Sequence, residues 1–246
     1  MSRNEARWLL TPESWLLAPE SWLMNSFLPA AVIFDMDGVL VDTNPFHVQK
    51  WEALLTEHGI AFDREALPKQ VLGPGNDLTL RHFFGERLTA DDRLRLSEEL
   101  EARFRAAFAP HAKPFAGVER LITECHENGV RVAVASAAMS KNVFFILDAL
   151  ELRPRFHVVL TEDEITHNKP HPEIYDKTAQ KLGIPPAACV VIEDSFTGIE
   201  AAKGAGMKCV AVASTFPATE LRARTQADLV VQTLETLKLE ILRGLF

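Results

Sequence analysis

The chain has 246 residues, 47% hydrophobic and 24% charged, the make-up of a globular protein with material for one large domain or two modest ones. Its formal net charge of -8 argues against a nucleic-acid surface, and no block of like charge makes a local exception; a phosphorylated ligand would need local help from a metal or a lysine. Cys125, Cys189 and Cys209 are too scattered for a disulfide framework or a Cys-x-x-Cys site and read as small core residues, and no run approaches the roughly 18 apolar residues of a membrane span.

Residues 1–28 differ in pattern from the rest. Pro12-Glu13-Ser14-Trp15-Leu16-Leu17 recurs as Pro19-Glu20-Ser21-Trp22-Leu23-Met24, too short a recurrence for a repeat architecture. Arg3 and Arg7 precede an apolar stretch that the two Pro-Glu pairs interrupt before it reaches signal-peptide length. The segment reads as an appendage without catalytic role, and the chain as cytoplasmic.

Ala31-Val32-Ile33-Phe34 is a short buried strand, broken by Gly38. Asp35 and Asp37 follow it and share a face only if the strand keeps its period through Met36. Such a pair can divide the work, one carboxylate attacking phosphorus or carbon while the other handles protons. In all, strands are predicted at Val32 to Asp35, Val130 to Ala135, Val158 to Thr161, Cys189 to Glu193, Lys208 to Ala213 and Leu229 to Val231. Between them, Val118, Leu121, Ile122 and Cys125, and again Val143, Ile146, Leu147 and Leu150, follow helical spacing, with Gly129 and Gly183 where C-terminal caps belong. This alternation predicts an α/β fold with a doubly wound parallel sheet, Rossmann-like. Residues 45–113 carry no convincing strand but several helical stretches, including Leu96, Leu100, Phe104 and Phe108. They divide the chain into a core of residues 29–44 and 114–246 and an inserted α-helical domain.

Three more strand ends carry polar residues. Val132-Ala133-Val134-Ala135 ends in Ser136-Ala137, where a hydroxyl and the following amide can hold a phosphoryl oxygen. In Asn168-Lys169-Pro170-His171-Pro172-Glu173-Ile174-Tyr175 two prolines fix the chain around Lys169 and start a helix at Pro172. Val190-Val191-Ile192 runs into Glu193-Asp194, acids suited to a hard, oxygen-liganded cation; Asp194 also reads as a cap for a helix beginning near Thr197.

These four motifs, Asp35-Met36-Asp37-Gly38-Val39-Leu40-Val41-Asp42-Thr43 first among them, resemble the haloacid dehalogenase superfamily, in its β-phosphoglucomutase-like and phosphatase branch. The resemblance covers the chain from about residue 30 onward and implies that the helical insertion is a cap closing over the active site. It implies Asp35 as nucleophile, Asp37 as general acid and base, and Ser136, Ala137 and Lys169 holding the phosphoryl group. It also implies Mg²⁺ bound by the carboxylates of Asp35 and Asp194 and the backbone carbonyl of Asp37, with Glu193 behind these ligands or itself an occasional direct ligand. The match continues through Thr43 to His47 and Trp51, which lie one turn apart on the first cap helix; His47 is expected to touch substrate, together with Thr43, and Trp51 to pack.

The pattern departs where the mutase grips a distal phosphate with cap cations. After Gly73-Pro74-Gly75 the chain has Asn76, and at the expected lysine it has Leu100, with Arg81 and Arg103 as the stand-in candidates. An ungripped distal phosphate would be poorly bound. The expected function is therefore a Mg²⁺-dependent phosphatase of a small phosphorylated metabolite, with hexose phosphate mutase as runner-up. A metal-free dehalogenase and a non-enzymatic phospho-acceptor module stand further back, the first against the acidic cluster and the second against the helical insertion.

Overall fold

The structure, a computed structural model, describes residues 29–72 and 75–246; the 1–28 appendage with its recurring segment, and Gly73-Pro74, lie outside the described residues. The centre is a six-stranded, all-parallel sheet of β1 (Ala31–Phe34), β2 (Arg131–Ala135), β3 (Val158–Leu160), β4 (Cys189–Glu193), β5 (Lys208–Val212) and β6 (Leu229–Val231), in the order β3-β2-β1-β4-β5-β6. Every strand of the sequence reading is present, with ends shifted by a residue or less. The reason is that parallel strands covered on both faces read as near-continuous apolar runs.

The pleat sorts these runs into two cores. Val32, Phe34, Val132, Val134, Val190 and Ile192 face one side, under α5 (Val118–Glu127), α6 (Ser140–Ala149) and α10 (Leu239–Arg243). Ala31, Ile33, Ala133, Cys189 and Val191 face the other, under α7 (Glu173–Leu182), α8 (Phe196–Gly204) and α9 (Ala218–Arg224). The sheet is thus doubly wound, as expected. All three cysteines are buried, and burial pushes the Cys125 and Cys189 thiols up to about 12.

Between β1 and α5 lies the inserted helical cap, made of α1 (Asn44–Glu57), α2 (Leu67–Val71), α3 (Asn76–Phe84) and α4 (Ala90–Phe108). It has its own apolar cluster of Trp51, Leu54, Leu55, Leu67, Leu80, Leu96 and Leu100. Lower on α4, Phe104 and Phe108 enter the core cluster instead, so the cap is anchored to the body by continuous packing. The start of α4 is fixed by a reciprocal cap in which Thr89 and Asp92 each accept the other's backbone N–H.

Chain order runs outward from β1 in both directions, to β2 and β3 on one side and to β4, β5 and β6 on the other. The reversal opens a crevice at the carboxyl ends of β1, β2 and β4, where ligands bind in open α/β sheets.

Candidate active site

Register puts the four motifs in one row. Phe34 pairs with Val134 on one side and Ile192 on the other, so Asp35 emerges level with Ala135 and Glu193. The Asp35 N–H still donates to the Ile192 carbonyl at 3.0 Å, but beyond it the strand period is not kept. Met36 turns into the core, and its carbonyl accepts the Leu40 N–H at 2.8 Å in a tight turn. This turn, rather than an extended strand, presents Asp37.

Gly38 and Gly198 make the close packing possible. Gly38 has a φ of +76°, and a Cβ there would stand 1.9 Å from Asp194 Oδ2. A Cβ on Gly198 would stand 1.6 Å from Glu193 Oε1. Glu193 cannot yield: Oε1 accepts from Lys169 Nζ at 2.7 Å and Tyr175 Oη at 2.9 Å, while Oε2 accepts from the backbone of Asp194 and Ser195 and the Ser195 hydroxyl. Gly198→Ala is therefore expected to displace Glu193 from Lys169, lowering stability by about 1–3 kcal/mol and turnover by about 10²-fold. A purified Gly198→Ala protein that melts and turns over like the parent would contradict this packing.

Lys169 is the hub. Its side chain is 8% exposed, and Nζ donates to Asp35 Oδ1 at 2.5 Å as well as to Glu193. Burial alone would lower its pKa, but the carboxylates of Asp35 and Glu193 outweigh this and raise it, so the ammonium is permanently charged. The same burial lifts Asp35 well above the usual carboxylate range, opposed by Lys169 and reinforced by Glu193 and Asp194. Burial, then the Glu193 charge, pushes Asp194 up to about 7. Glu193 is held low in spite of burial, by Lys169 and its hydrogen bonds.

Asp35, Glu193 and Asp194 bring carboxylate oxygens within 4.8 Å of one another against a single buried ammonium. Such a set is short of positive charge, and its oxygen donors fit a hard divalent cation such as Mg²⁺. Because Glu193 already accepts five hydrogen bonds, the carboxylates with capacity left for an ion are those of Asp35 and Asp194.

The other expected residues fall into two groups. Ser136 and Ala137 line a cavity of about 500 Å³ together with Asp35, Asp37, Lys169, Glu193 and Asp194. His47 lines a second chamber, of about 430 Å³, under the cap, which shares Asp37 and Ala137 with the first. Thr43, expected to touch substrate, lines neither; it is fully buried, and its hydroxyl donates to Asp37 Oδ1, which orients that carboxylate. Trp51 packs in the cap cluster as expected.

Two sequence expectations are corrected here. The helix after β4 begins at Phe196 and is capped by Ser195, whose hydroxyl accepts the Gly198 N–H at 3.0 Å, leaving Asp194 free to face the cavity. In the cap, Leu100 is buried among apolar neighbours, and the residues of α4 that reach the chamber are Ser97 and Glu101. Arg81 and Arg103 do not stand in as cations there: Arg81 pairs with Asp77, and Arg103 with Glu57 and Glu99. Sequence reasoning missed Thr215, whose hydroxyl donates to Asp194 Oδ2 and accepts from Asn44 Nδ2 at 3.1 Å. Its loop position after β5 gives no periodic signal.

With this geometry in place, the chain proves similar to known proteins along nearly all its described length. Residues 32–212 match the haloacid dehalogenase-like hydrolase family. The β-phosphoglucomutase of Bacillus subtilis is 30% identical over 220 residues, 86% of this chain and 93% of its own. Hexitol phosphatase B of Escherichia coli K12 is 29% identical over 183 residues, 74% of this chain and 82% of its own. Among solved structures, a haloacid dehalogenase hydrolase of Entamoeba histolytica superposes with a TM-score of 0.81 at 26% identity, covering 87% of this chain and 98% of that one. The chain belongs to the haloacid dehalogenase-like hydrolase family. It is a phosphoester-acting enzyme of that family.

Proposed function

We propose that the chain is a Mg²⁺-dependent phosphatase that hydrolyses a small phosphorylated metabolite, a sugar monophosphate, through an aspartyl-phosphate on Asp35. One arrangement carries the reading: the Lys169 ammonium 2.5 Å from Asp35, in a cavity that Asp37, Ser136 and Asp194 also line. An Asp35 oxygen attacks phosphorus and the ester oxygen leaves, taking a proton from Asp37. Asp37 then removes a proton from water as that water attacks phosphorus, releasing inorganic phosphate and regenerating the Asp35 carboxylate.

Thr43 holds Asp37 in position for both proton transfers. Ser136 Oγ already accepts the Ala138 N–H at 3.2 Å, so its own proton is free for a phosphoryl oxygen, and Ala137 lines the same cavity. Lys169 keeps Asp35 and the phosphoryl oxygens from repelling each other, and Glu193 keeps Lys169 in place. Asp35, Asp194 and the Asp37 carbonyl would hold Mg²⁺, which would supply further neutralisation of phosphoryl charge.

Hexose phosphate mutase is the second reading, favoured by the likeness to β-phosphoglucomutase. Against it stands the cap chamber, where Asn76 occupies the place expected for a cap cation and Glu101 brings an acid. The metal requirement is tested by phosphate release from sugar monophosphates in EDTA, with Mg²⁺ then restored. Activity is expected to vanish with the chelator and return with the ion; full activity in EDTA would take the metal out of the account and favour the dehalogenase reading.

A further inference from the structure

The chamber under the cap contains a polar group that the phosphoryl chemistry does not use. Lys50 of α1 and Glu101 of α4 form an ion pair at 2.5 Å, with side chains 3% and 7% exposed. Glu101 Oε1 also accepts from Asn76 Nδ2 of α3 at 2.6 Å, and Oε2 from Asn142 Nδ2 of the core helix α6 at 2.5 Å. Side chains from three helices thus converge on one carboxylate carried by a fourth.

Stability does not account for this arrangement. Burying an ion pair costs desolvation that its attraction does not reliably recover, and apolar residues of similar volume commonly serve as well or better. The neighbouring cap cluster is made of such residues. What the pair does supply is ligand-facing polarity. Among the described residues, Glu101 is the acceptor recorded for Lys50, so two of the three ammonium N–H groups remain for something in the chamber.

The charges around it restrict that something. Lys50 is neutralised by Glu101, and Arg105, whose guanidinium donates to Asn142 Oδ1 at 2.5 Å, is not among the residues that line the chamber. Burial, then the Lys50 charge, lowers the pKa of His47, whose ring stacks on Phe104 and lines the chamber as a neutral imidazole. The other ionisable lining groups, Asp37, Asp77 and Glu162, are acids, and of these Asp77 is balanced by Arg81 and Arg93 at the rim.

We infer that Lys50, Glu101, Asn76 and Asn142 form the specificity site for the non-reacting end of the substrate, reading hydroxyl groups on an uncharged polyhydroxy chain or ring and turning away a second phosphate or carboxylate. Ammonium and amide N–H groups donate to hydroxyl oxygens, and Glu101 accepts from a hydroxyl proton. Among the described residues that line the chamber, a second anion would meet one lysine, already paired with Glu101, and several carboxylates. The inference rests on the phosphatase reading and narrows its substrate.

The test compares sorbitol 6-phosphate, fructose 1,6-bisphosphate and p-nitrophenyl phosphate, with the parent protein and with Glu101→Gln, which keeps the shape and removes the charge. For the parent, kcat/KM for sorbitol 6-phosphate is expected to exceed that for the bisphosphate by at least about 100-fold. In Glu101→Gln the ratio of kcat/KM for sorbitol 6-phosphate to that for p-nitrophenyl phosphate, which has no hydroxyl to read, is expected to fall by about 10- to 100-fold, mainly through KM. Discrimination against the bisphosphate is expected to shrink at the same time. A parent protein that turns over the bisphosphate as readily as the monophosphate overturns the inference, whether or not the variant folds. So does a Glu101→Gln protein with unchanged ratios. Turnover of p-nitrophenyl phosphate without preference for the sugar ester would sink the inference alone, whereas no phosphate release from any of the three would remove the phosphatase reading and this site's role with it.

Discussion

Asp35→Asn is expected to lower phosphate release by at least about 10⁴-fold while the protein stays folded, because the change removes the attacking oxygen without changing side-chain shape. The amide also lifts one negative charge from a buried cluster in which burial already raises Asp35. Thermal stability should therefore be kept or gained, and a circular dichroism melt alongside the phosphate assay separates lost chemistry from lost fold. A variant within about tenfold of the parent rate would end the assignment of Asp35 as nucleophile.

Lys169→Met is expected to cost both activity and stability. The ammonium lies between Asp35 and Glu193, and its removal leaves two buried carboxylates facing each other without a counter-charge. Breaking a buried ion pair from one side costs about 3–5 kcal/mol. Methionine fills the aliphatic path of the lysine, so the loss would report charge rather than a cavity. Urea unfolding gives the stability and phosphate release the rate, which should fall by at least about 10³-fold because the phosphoryl oxygens lose their fixed cation as well. A Lys169→Met protein of parental stability would mean that the carboxylates are not held together by this lysine.

The sheet was legible because each strand is covered on both faces, so its sequence is an uninterrupted apolar run. Cys189–Glu193 and Leu229–Val231 coincide with their predicted bounds, and Val158–Leu160 differs by one residue. The core positions of the candidate site were legible for a related reason. Asp35, Ser136 and Asp194 each lie just beyond a parallel strand, where residues distant in sequence converge at the reversal of strand order.

The cap resisted the same treatment. On a helix, one residue is a rotation of about 100°, so placing the chamber residue at Leu100 rather than Glu101 exchanged a buried apolar side chain for a buried acid. Lys50 and Glu101 belong to different helices, and neither has a sequence neighbour that marks it as part of a pair. Thr43 and Thr215 were obscured in another way. Each acts through a carboxylate, Asp37 and Asp194 respectively, and a single hydroxyl in a turn carries no pattern that predicts such a contact.

Hydrolysis under the cap, rather than transfer to a second sugar hydroxyl, is the central claim. A phosphatase must let water reach the aspartyl-phosphate, whereas a mutase must exclude it until a phosphorylated acceptor closes the cap. With Asn76 and Glu101 in the chamber, closure gains little from a distal phosphate. Following β-glucose 1-phosphate by ³¹P NMR in the presence of Mg²⁺ tests this most directly. Inorganic phosphate is expected to form faster than any isomeric sugar phosphate; conversion to glucose 6-phosphate with negligible phosphate release would contradict the account.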